Sequence, residues 1–275
     1  GWNSELGQKN IESLVKNLGI DLHTHVINWP EYRRVMNAFF KADVIDIELL
    51  MDNAMTSVLY QTAAKWKIRY ILAGTNLATE GMRMPSNWNW FKFDKKNIKA
   101  IARNDGFKNF DTFPLFGIKD FLLHRIIYKT QWISFLDYFE YDKDKSIYEL
   151  ETKVGFRKYP QKHYESVFTK FYQGYILPFK FGVDKRKLHL SNLIITNQLD
   201  RKKAETILQK SPLDDFKNIN NDKGYFVKKM KWSDKELEEY IKRPEKKHSQ
   251  YSTEYPLWIL IKKIYRLLGG NQTSY

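Results

Sequence analysis

RYILAGTN, Arg69–Asn76, sets an apolar run against a turn: Tyr70, Ile71, Leu72 and Ala73 lead straight into Gly74, Thr75 and Asn76. A short apolar run closed by turn residues reads as a buried strand. The flanking sequence supplies what such a strand needs. Upstream, Ser4 opens the helical pattern ELGQKNIESLVKNLG, which Gly19 ends as a C-cap. The stretch DLHTHVI, Asp21–Ile27, reads as a strand. A helix then starts near Pro30, with proline at its first turn, and a longer one runs from about Ile47 to Trp66. Strand, helix and strand at these lengths predict an α/β fold with a parallel sheet and crossover helices.

Downstream the character changes. Residues 78–112, with EGMRMPSNWNWFKFDKKN in their midst, read as a long irregular connection, and loops of that length tend to be functional. After Pro114 the pattern is helical, from FGIKDFLLHRIIYKTQWISFLDYFEY onward, with further helix starts at Asp200, at Pro212 and at the capping box Ser233–Glu236. The closing PLWILIKKIYRLL is an amphipathic helix, read as packing on the domain in preference to a membrane surface. Two domains follow: residues 1–117, α/β, and residues 118–275, mainly helical.

Composition bounds the chemistry. The 275 residues are 43% hydrophobic and 16% aromatic, ample for a core, and contain no cysteine. Disulfides, thiolate metal sites and a cysteine nucleophile are excluded within this sequence, which fits a reducing cytoplasmic setting. The apolar runs fall short of a membrane span, so no stable membrane insertion is expected. The net charge of +14 calls for an anionic partner. The chain opens at Gly1 rather than Met, and a preceding segment is expected. His23 and His25 share one face of their expected strand, but no carboxylate or cysteine completes a metal set, so they read as solvated or core histidines.

Two segments carry candidate chemistry. If residues 162–175 are helical, Tyr164, Val167, Phe168, Phe171, Tyr172 and Tyr175 fall on one side, and Lys162, His163, Ser166, Thr169, Lys170 and Gln173 on the other. That polar side is rich in directional hydrogen-bonding groups. After Asp184, read as an N-cap, Lys185, His189, Asn192 and Thr196 form a polar stripe on a helix that is apolar on most other sides. Such a stripe needs partners, either a neighbouring helix or a polar ligand, and the adjacent Arg186 favours an anionic or sugar-like one. The turn Ala73–Gly81 lies where an open parallel sheet binds ligands. Gly74 permits close backbone approach there, and Thr75, Asn76 and Glu80 offer oxygens to a phosphate-bound Mg2+ or polar groups to a nucleotide.

GWNSELGQKNIESLVKNLGID, YILAGTNLATEG, KHYESVFTKFYQGYILPFKFGVDKRKLHLSNLI and YSTEYPLW together resemble the N-acetyl sugar amidotransferase family. These are PP-loop ATP pyrophosphatases of surface-polysaccharide and lipopolysaccharide (O-antigen) biosynthesis. The resemblance spans nearly the whole chain, and its third segment is the most distinctive. It implies a Rossmann-like ATP-binding first domain and a reaction in which ATP adenylates the acetamido oxygen of an N-acetylated, nucleotide-linked sugar. Ammonia then gives an acetamidino group, AMP and pyrophosphate. An amide is a poor electrophile, so its oxygen must be made a leaving group, and cations with Mg2+ suit that step.

By the resemblance, Gly74, Thr75, Asn76 and Glu80 serve ATP, with Glu80 at the metal. Lys162, Glu165, Tyr172, Gln173, Lys185 and Arg186 line the sugar site, and His163 or His189 is the base. Without a cysteine nucleophile, ammonia is expected from a partner glutaminase with a synthase-like barrel subunit. The chain departs from the family in lacking an SGGxDS-type phosphate loop and the cysteine-rich segment before it. It therefore reads as the C-terminal three-quarters of such an enzyme. Two other classes remain open. One is a PP-loop enzyme modifying tRNA, which the scattered charges disfavour, so no nucleic-acid partner is expected. The other is a non-catalytic interaction module.

Overall fold

The computed structural model describes residues 1–160, 162–212 and 219–267. The helices among them are α1 (Glu5–Leu18), α2 (Trp29–Lys41), α3 (Leu49–Lys65), α4 (Leu77–Glu80), α5 (Lys95–Asn104), α6 (Ile118–Ile126), α7 (Lys143–Val154), α8 (Val167–Phe171), α9 (Leu177–Phe181), α10 (Arg186–Ile195), α11 (Arg201–Gln209), α12 (Ile219–Met230), α13 (Asp234–Lys242) and α14 (Tyr255–Leu267). Strands β1 (Tyr70–Ala73) and β2 (Gln131–Ser134) pair in parallel. No described helix is long and apolar enough to cross a membrane.

Helix ends follow cap chemistry. Ser4 Oγ accepts from Gly7 N at 3.1 Å to start α1, and Gly19 ends it in the left-handed region at φ 61°. Asp200 caps α11, and Ser233 with Glu236 forms the capping box of α13.

The architecture is mixed α/β and mostly helical, and it corrects several expectations. Residues 21–27 are not a strand: Leu22 and Val26 are both exposed, so the alternation of histidines with apolar residues buries no face. His23 and His25 are exposed with them. β1 lies where expected, but only Ala73 of its four residues is buried. The connection 78–112 contains α5, whose Asp94 cap and buried Ile98, Ile101 and Ala102 at helical spacing are obscured in the sequence by four basic residues. Within the stretch expected to be all helix, Gln131–Ser134 forms β2 beside β1, with Gln131 N donating to Arg69 O at 2.6 Å. The helix start expected at Pro212 runs into residues outside those described.

The chain divides into two compact units, each assembled from separate stretches. The first comprises residues 1–26, 74–83 and 134–243; the second comprises 27–73, 84–133 and 244–275. The boundary expected at residue 117 falls inside the second unit.

The first unit is centred on stacked aromatics. Trp2, Phe168, Phe171, Tyr172 and Phe226 are all buried, with Trp2–Phe168 and Phe171–Phe226 centroids 5.2 and 5.1 Å apart. Residues 167–181 run helically but include a π turn at Tyr172–Ile176. The extra residue in that turn advances the phase of everything after it.

The second unit packs α2, α3 and α5 around Tyr32, Phe39, Phe40, Leu50 and Ile98. Several of its buried polar groups are paired, whereas His124 Nδ1 and Thr130 Oγ1 have no partner among the described residues. Asn53 donates to the carbonyls of Lys92 and Phe116, both at 2.7 Å, and accepts from Phe116 N at 2.9 Å. α14 docks through Trp258, which stacks on Phe91 at 5.1 Å and meets Phe93 and Phe121 edge-on, while Leu257, Leu260, Ile264 and Leu267 face solvent.

His248 lies 2% exposed in this unit, stacked on Trp90 at 5.0 Å. Its Nε2 accepts from Asp46 N at 3.4 Å, so Nδ1 carries the proton and donates to Asn97 Oδ1 at 2.7 Å. Burial, partly opposed by Asp46, pushes its pKa down to about 4. A histidine whose folded pKa is depressed makes the unfolded chain the better proton acceptor. Stability is therefore whole above the unfolded value and falls as pH drops from about 6.5 toward 4, by about 1.4 kcal/mol per pH unit at most. The denaturation midpoint, followed from pH 7 to 4.5, should fall less steeply in His248→Gln than in the parent. Equal slopes would assign the acid sensitivity to other groups.

Candidate functional site

The predicted site residues all fall within the first unit. The 162–166 segment is held in place before it turns into α8. Ser4 N donates to Glu165 O at 2.8 Å and Val167 N to Trp2 O at 2.8 Å, so the chain start runs alongside it. Gly7 lets α1 approach this closely, since a Cβ there would stand 3.0 Å from Glu165 O. The helix expected from residue 162 begins only at Val167, capped by Ser166 Oγ. His163 instead adopts φ 71°, a left-handed conformation in which helix cannot propagate.

That turn delivers Lys162 and His163 to α10. Lys162 Nζ lies 3.0 Å from Glu80 Oε1 and 3.3 Å from His189 Nδ1. The His163 and His189 rings are 5.6 Å apart, and His163 Nδ1 is 3.4 Å from Glu165 Oε1. An ammonium only donates, so His189 Nδ1 is the acceptor and its proton sits on Nε2. That Nε2 is buried and has no hydrogen-bond partner among the described residues. Burial first, and then the charges of Lys162, His163, Lys185 and Lys143, push the His189 pKa down to about 3, so its ring is neutral at physiological pH. Burial alone would raise the Glu165 carboxyl, but its hydrogen bond with His163, its own backbone N–H and the charges of His163 and Lys162 hold it below the usual range.

The stripe on α10 divides into two. Its first half, Lys185 and His189, faces this cluster electrostatically. Its second half grips residues 77–82. Asn192 accepts from Met82 N at 2.9 Å and donates to Ala78 O at 2.9 Å, Thr196 Oγ1 donates to Ala78 O at 2.8 Å, and Gln198 Nε2 reaches the same oxygen at 3.3 Å. Asn192 and Thr196 are thus bracing groups. Asp184 lies one residue before the N-cap position, which Lys185 occupies, and still accepts from Arg186 N at 3.0 Å.

Other predicted residues are engaged away from the cluster. Arg186 is forked onto Asp184, with Nη2–Oδ2 at 2.8 Å, and donates to Lys210 O at 3.0 Å. Tyr172 is 1% exposed and stacks on Phe168 at 5.4 Å, and Gln173 is half-buried within the π turn. Lys143, at the start of α7, is a member the sequence reading missed. Burial and then Lys162 lower its pKa, against Asp144, with Lys158 adding to the effect. Nothing in DYFEYDKDKS distinguishes it, because the neighbours that matter are distant in sequence.

The turn proposed for ATP is committed to its own structure. Leu77 N donates to Asp137 Oδ1 at 2.7 Å, Thr79 N to Asn76 Oδ1 at 2.8 Å, and Glu80 N to Asn76 O at 3.0 Å. Asn76 is buried as this cap, and Thr75 Oγ1 lies 3.4 Å from Ser134 Oγ. Gly74 is exposed, and a Cβ there would meet open space. Glu80 is paired with Lys162, and no group of three or more metal-ligating side chains occurs among the described residues. With the N–H groups of Leu77, Thr79 and Glu80 committed within the fold and no acidic set for Mg2+ among the described residues, this turn as folded does not fit that group.

Residues 165–265 match the family model described as "LPS biosynthesis protein WbpG-like, C-terminal domain". This stretch includes Glu165 and all of α10. Over this stretch, which is less than half of the chain, the sequence is similar to that domain. Searches of curated proteins and of solved structures find no match.

The division of α10 predicts opposite outcomes for two neighbouring substitutions. Asn192→Ala strands Met82 N and weakens the hold on Ala78 O, and should cost about 2–3 kcal/mol of stability. His189→Ala removes a buried donor that has no partner, and should leave the melting temperature unchanged or raised. Thermal denaturation of both variants at pH 7 checks the pair, and a large loss in His189→Ala would make that residue a brace as well.

Proposed function

We propose that this protein converts the acetamido group of a nucleotide-linked N-acetyl sugar to an acetamidino group, an ATP-dependent amidotransfer in surface-polysaccharide biosynthesis, with the Lys162–His163–His189 cluster as its sugar-substrate site. The observation that carries this reading is the buried Nε2–H of neutral His189, a donor without an acceptor beside several cations. The family match to the stretch holding α10 supports the pathway.

The two imidazoles are suited to different tasks. His189 stays neutral and donates from Nε2, as holding an acetamido or phosphate oxygen requires. His163 is more open and sits against the Glu165 carboxylate, an arrangement that orients Nδ1–H toward the carboxylate and leaves Nε2 with a lone pair. A proton leaving the attacking nitrogen goes to that lone pair, and Glu165 stabilises the imidazolium. Lys162 and Lys185 hold negative charge on the substrate. ATP with Mg2+ would supply activation of the amide oxygen, and residues 74–80 as folded do not hold it. Ammonia is proposed to come from a glutaminase with a synthase-like barrel subunit.

The committed N–H groups of Leu77, Thr79 and Glu80 favour one second reading, a module that binds the sugar nucleotide without transforming it. The protein expressed from its native gene, supplied with ATP, Mg2+, ammonium and a nucleotide-linked N-acetyl sugar, separates the two. A sugar product in which NH replaces O, seen by mass spectrometry, supports amidotransfer. Binding of the sugar without product supports the module, and neither binding nor product overturns both. Where the sugar binds, His189→Ala should weaken it by about tenfold to a hundredfold, the loss of one hydrogen bond to a charged group.

A further inference from the structure

We propose that Lys143, Lys158, Lys162 and Lys185, together with the buried Nε2–H of His189, form a seat for a phosphate-bearing group, the diphosphate of the nucleotide-linked sugar. This rests on the substrate reading above and adds Lys143 and Lys158 to it.

The charges around the cluster do not balance. Glu80 faces Lys162 at 3.0 Å, Glu165 faces His163 at 3.4 Å, and Asp144 lies 3.6 Å from Lys158. Lys143 sits next to Asp144 in sequence, yet it forms no ion pair among the described residues. It is half-buried, with Lys162 and Lys158 as its cationic neighbours. A partly desolvated ammonium among like charges is unfavourable unless an anion joins it. The unpartnered donor of His189 is unfavourable for a related reason, because buried polar groups are ordinarily paired. One acceptor-rich dianionic group satisfies both. Neutral His189 suits it, since an imidazolium there would add one more cation beside Lys162, Lys185 and Lys143. Burial first, and then neighbouring cations, lower the proton affinity of Lys143 and His189, and a bound anion would oppose the second effect.

The walls of the seat are held before any ligand arrives. Lys143 N donates to Gln198 Oε1 at 3.1 Å, and Gln198 Nε2 holds Ala78 O at 3.3 Å, so the start of α7 and the 77–82 segment share one anchor. Little ordering is left for the ligand to impose, which favours binding.

The test is calorimetric titration with inorganic pyrophosphate, ATP, UDP-N-acetylglucosamine and free N-acetylglucosamine, on the parent, Lys143→Met and Lys158→Met. Pyrophosphate and the UDP-sugar should bind and the free sugar should bind far more weakly. Lys143→Met should weaken both phosphorylated probes by about tenfold or more without lowering the melting temperature. In the 15N spectrum the His189 Nε2 resonance should shift on adding pyrophosphate. Tighter binding of ATP than of the UDP-sugar would assign the seat to ATP phosphates and overturn the sugar assignment. Equal pyrophosphate affinity in the parent and both variants, with a motionless His189 resonance, would overturn the seat itself. Phosphate binding intact without acetamidino product removes the amidotransfer reading and leaves the seat, whereas product formed with both lysines dispensable for binding does the reverse.

Discussion

Three side chains from one stretch, Asn192, Thr196 and Gln198, converge on the carbonyl oxygen of Ala78. That single acceptor fixes the 77–82 segment to α10, and the rest of the candidate site depends on it. Glu80 meets Lys162 only because residues 77–82 are held there, and Lys162 in turn fixes the tautomer of His189. Backbone groups in an irregular segment need partners as much as those in a helix do. Side chains supply them here, and an otherwise weak four-residue helix becomes a stable wall.

The grip on Ala78 also explains why α10 tolerates poor electrostatics along its other half. Hydrogen bonds to backbone groups stabilise the second half at no cost in charge. The first half carries Lys185 and His189 beside Lys162 and Lys143, where the hydrogen bond from Lys162 to His189 Nδ1 stands against the repulsion among the cations. One helix thus separates a bracing end from a binding end within about two turns. The net positive charge of the chain has little bearing on this. What matters is that Asp144 is drawn to Lys158 and Glu80 to Lys162, so that Lys143 is left without a carboxylate of its own.

Local signals were legible in the sequence wherever the cause was local. Ser4, Asp200 and the Ser233 box start helices as read, because a cap acts over three residues. The strand at Tyr70–Ala73 was found from its apolar run, and its exposure was not, because burial depends on what packs above it. β2 was missed for a similar reason: Gln131–Ser134 is extended only beside β1, some sixty residues earlier in the chain. The helical wheel over 162–175 failed at both ends, once at His163, where φ turns positive, and again at Tyr172, where a π turn shifts the phase. Lys162, His163 and His189, grouped through the resemblance, do lie near one another. Lys143 was not named, because its significance lies in charges brought in from other elements.

The distribution of unfavourable features is itself informative. His163 holds a left-handed backbone conformation, His189 buries a donor with no acceptor, and Lys143 is desolvated among cations. Each carries a cost in a folded chain, and all three fall within the same cluster of the first unit. The aromatic core beside it, from Trp2 to Phe226, supplies the stability that tolerates them. In the second unit the comparable polar groups, Asn53, Asn97 and His248, are matched donor to acceptor. Among the described residues, unpartnered buried groups occur in the second unit too, at His124 Nδ1 and Thr130 Oγ1, so what singles out His189 is the set of cations gathered beside its unpartnered donor.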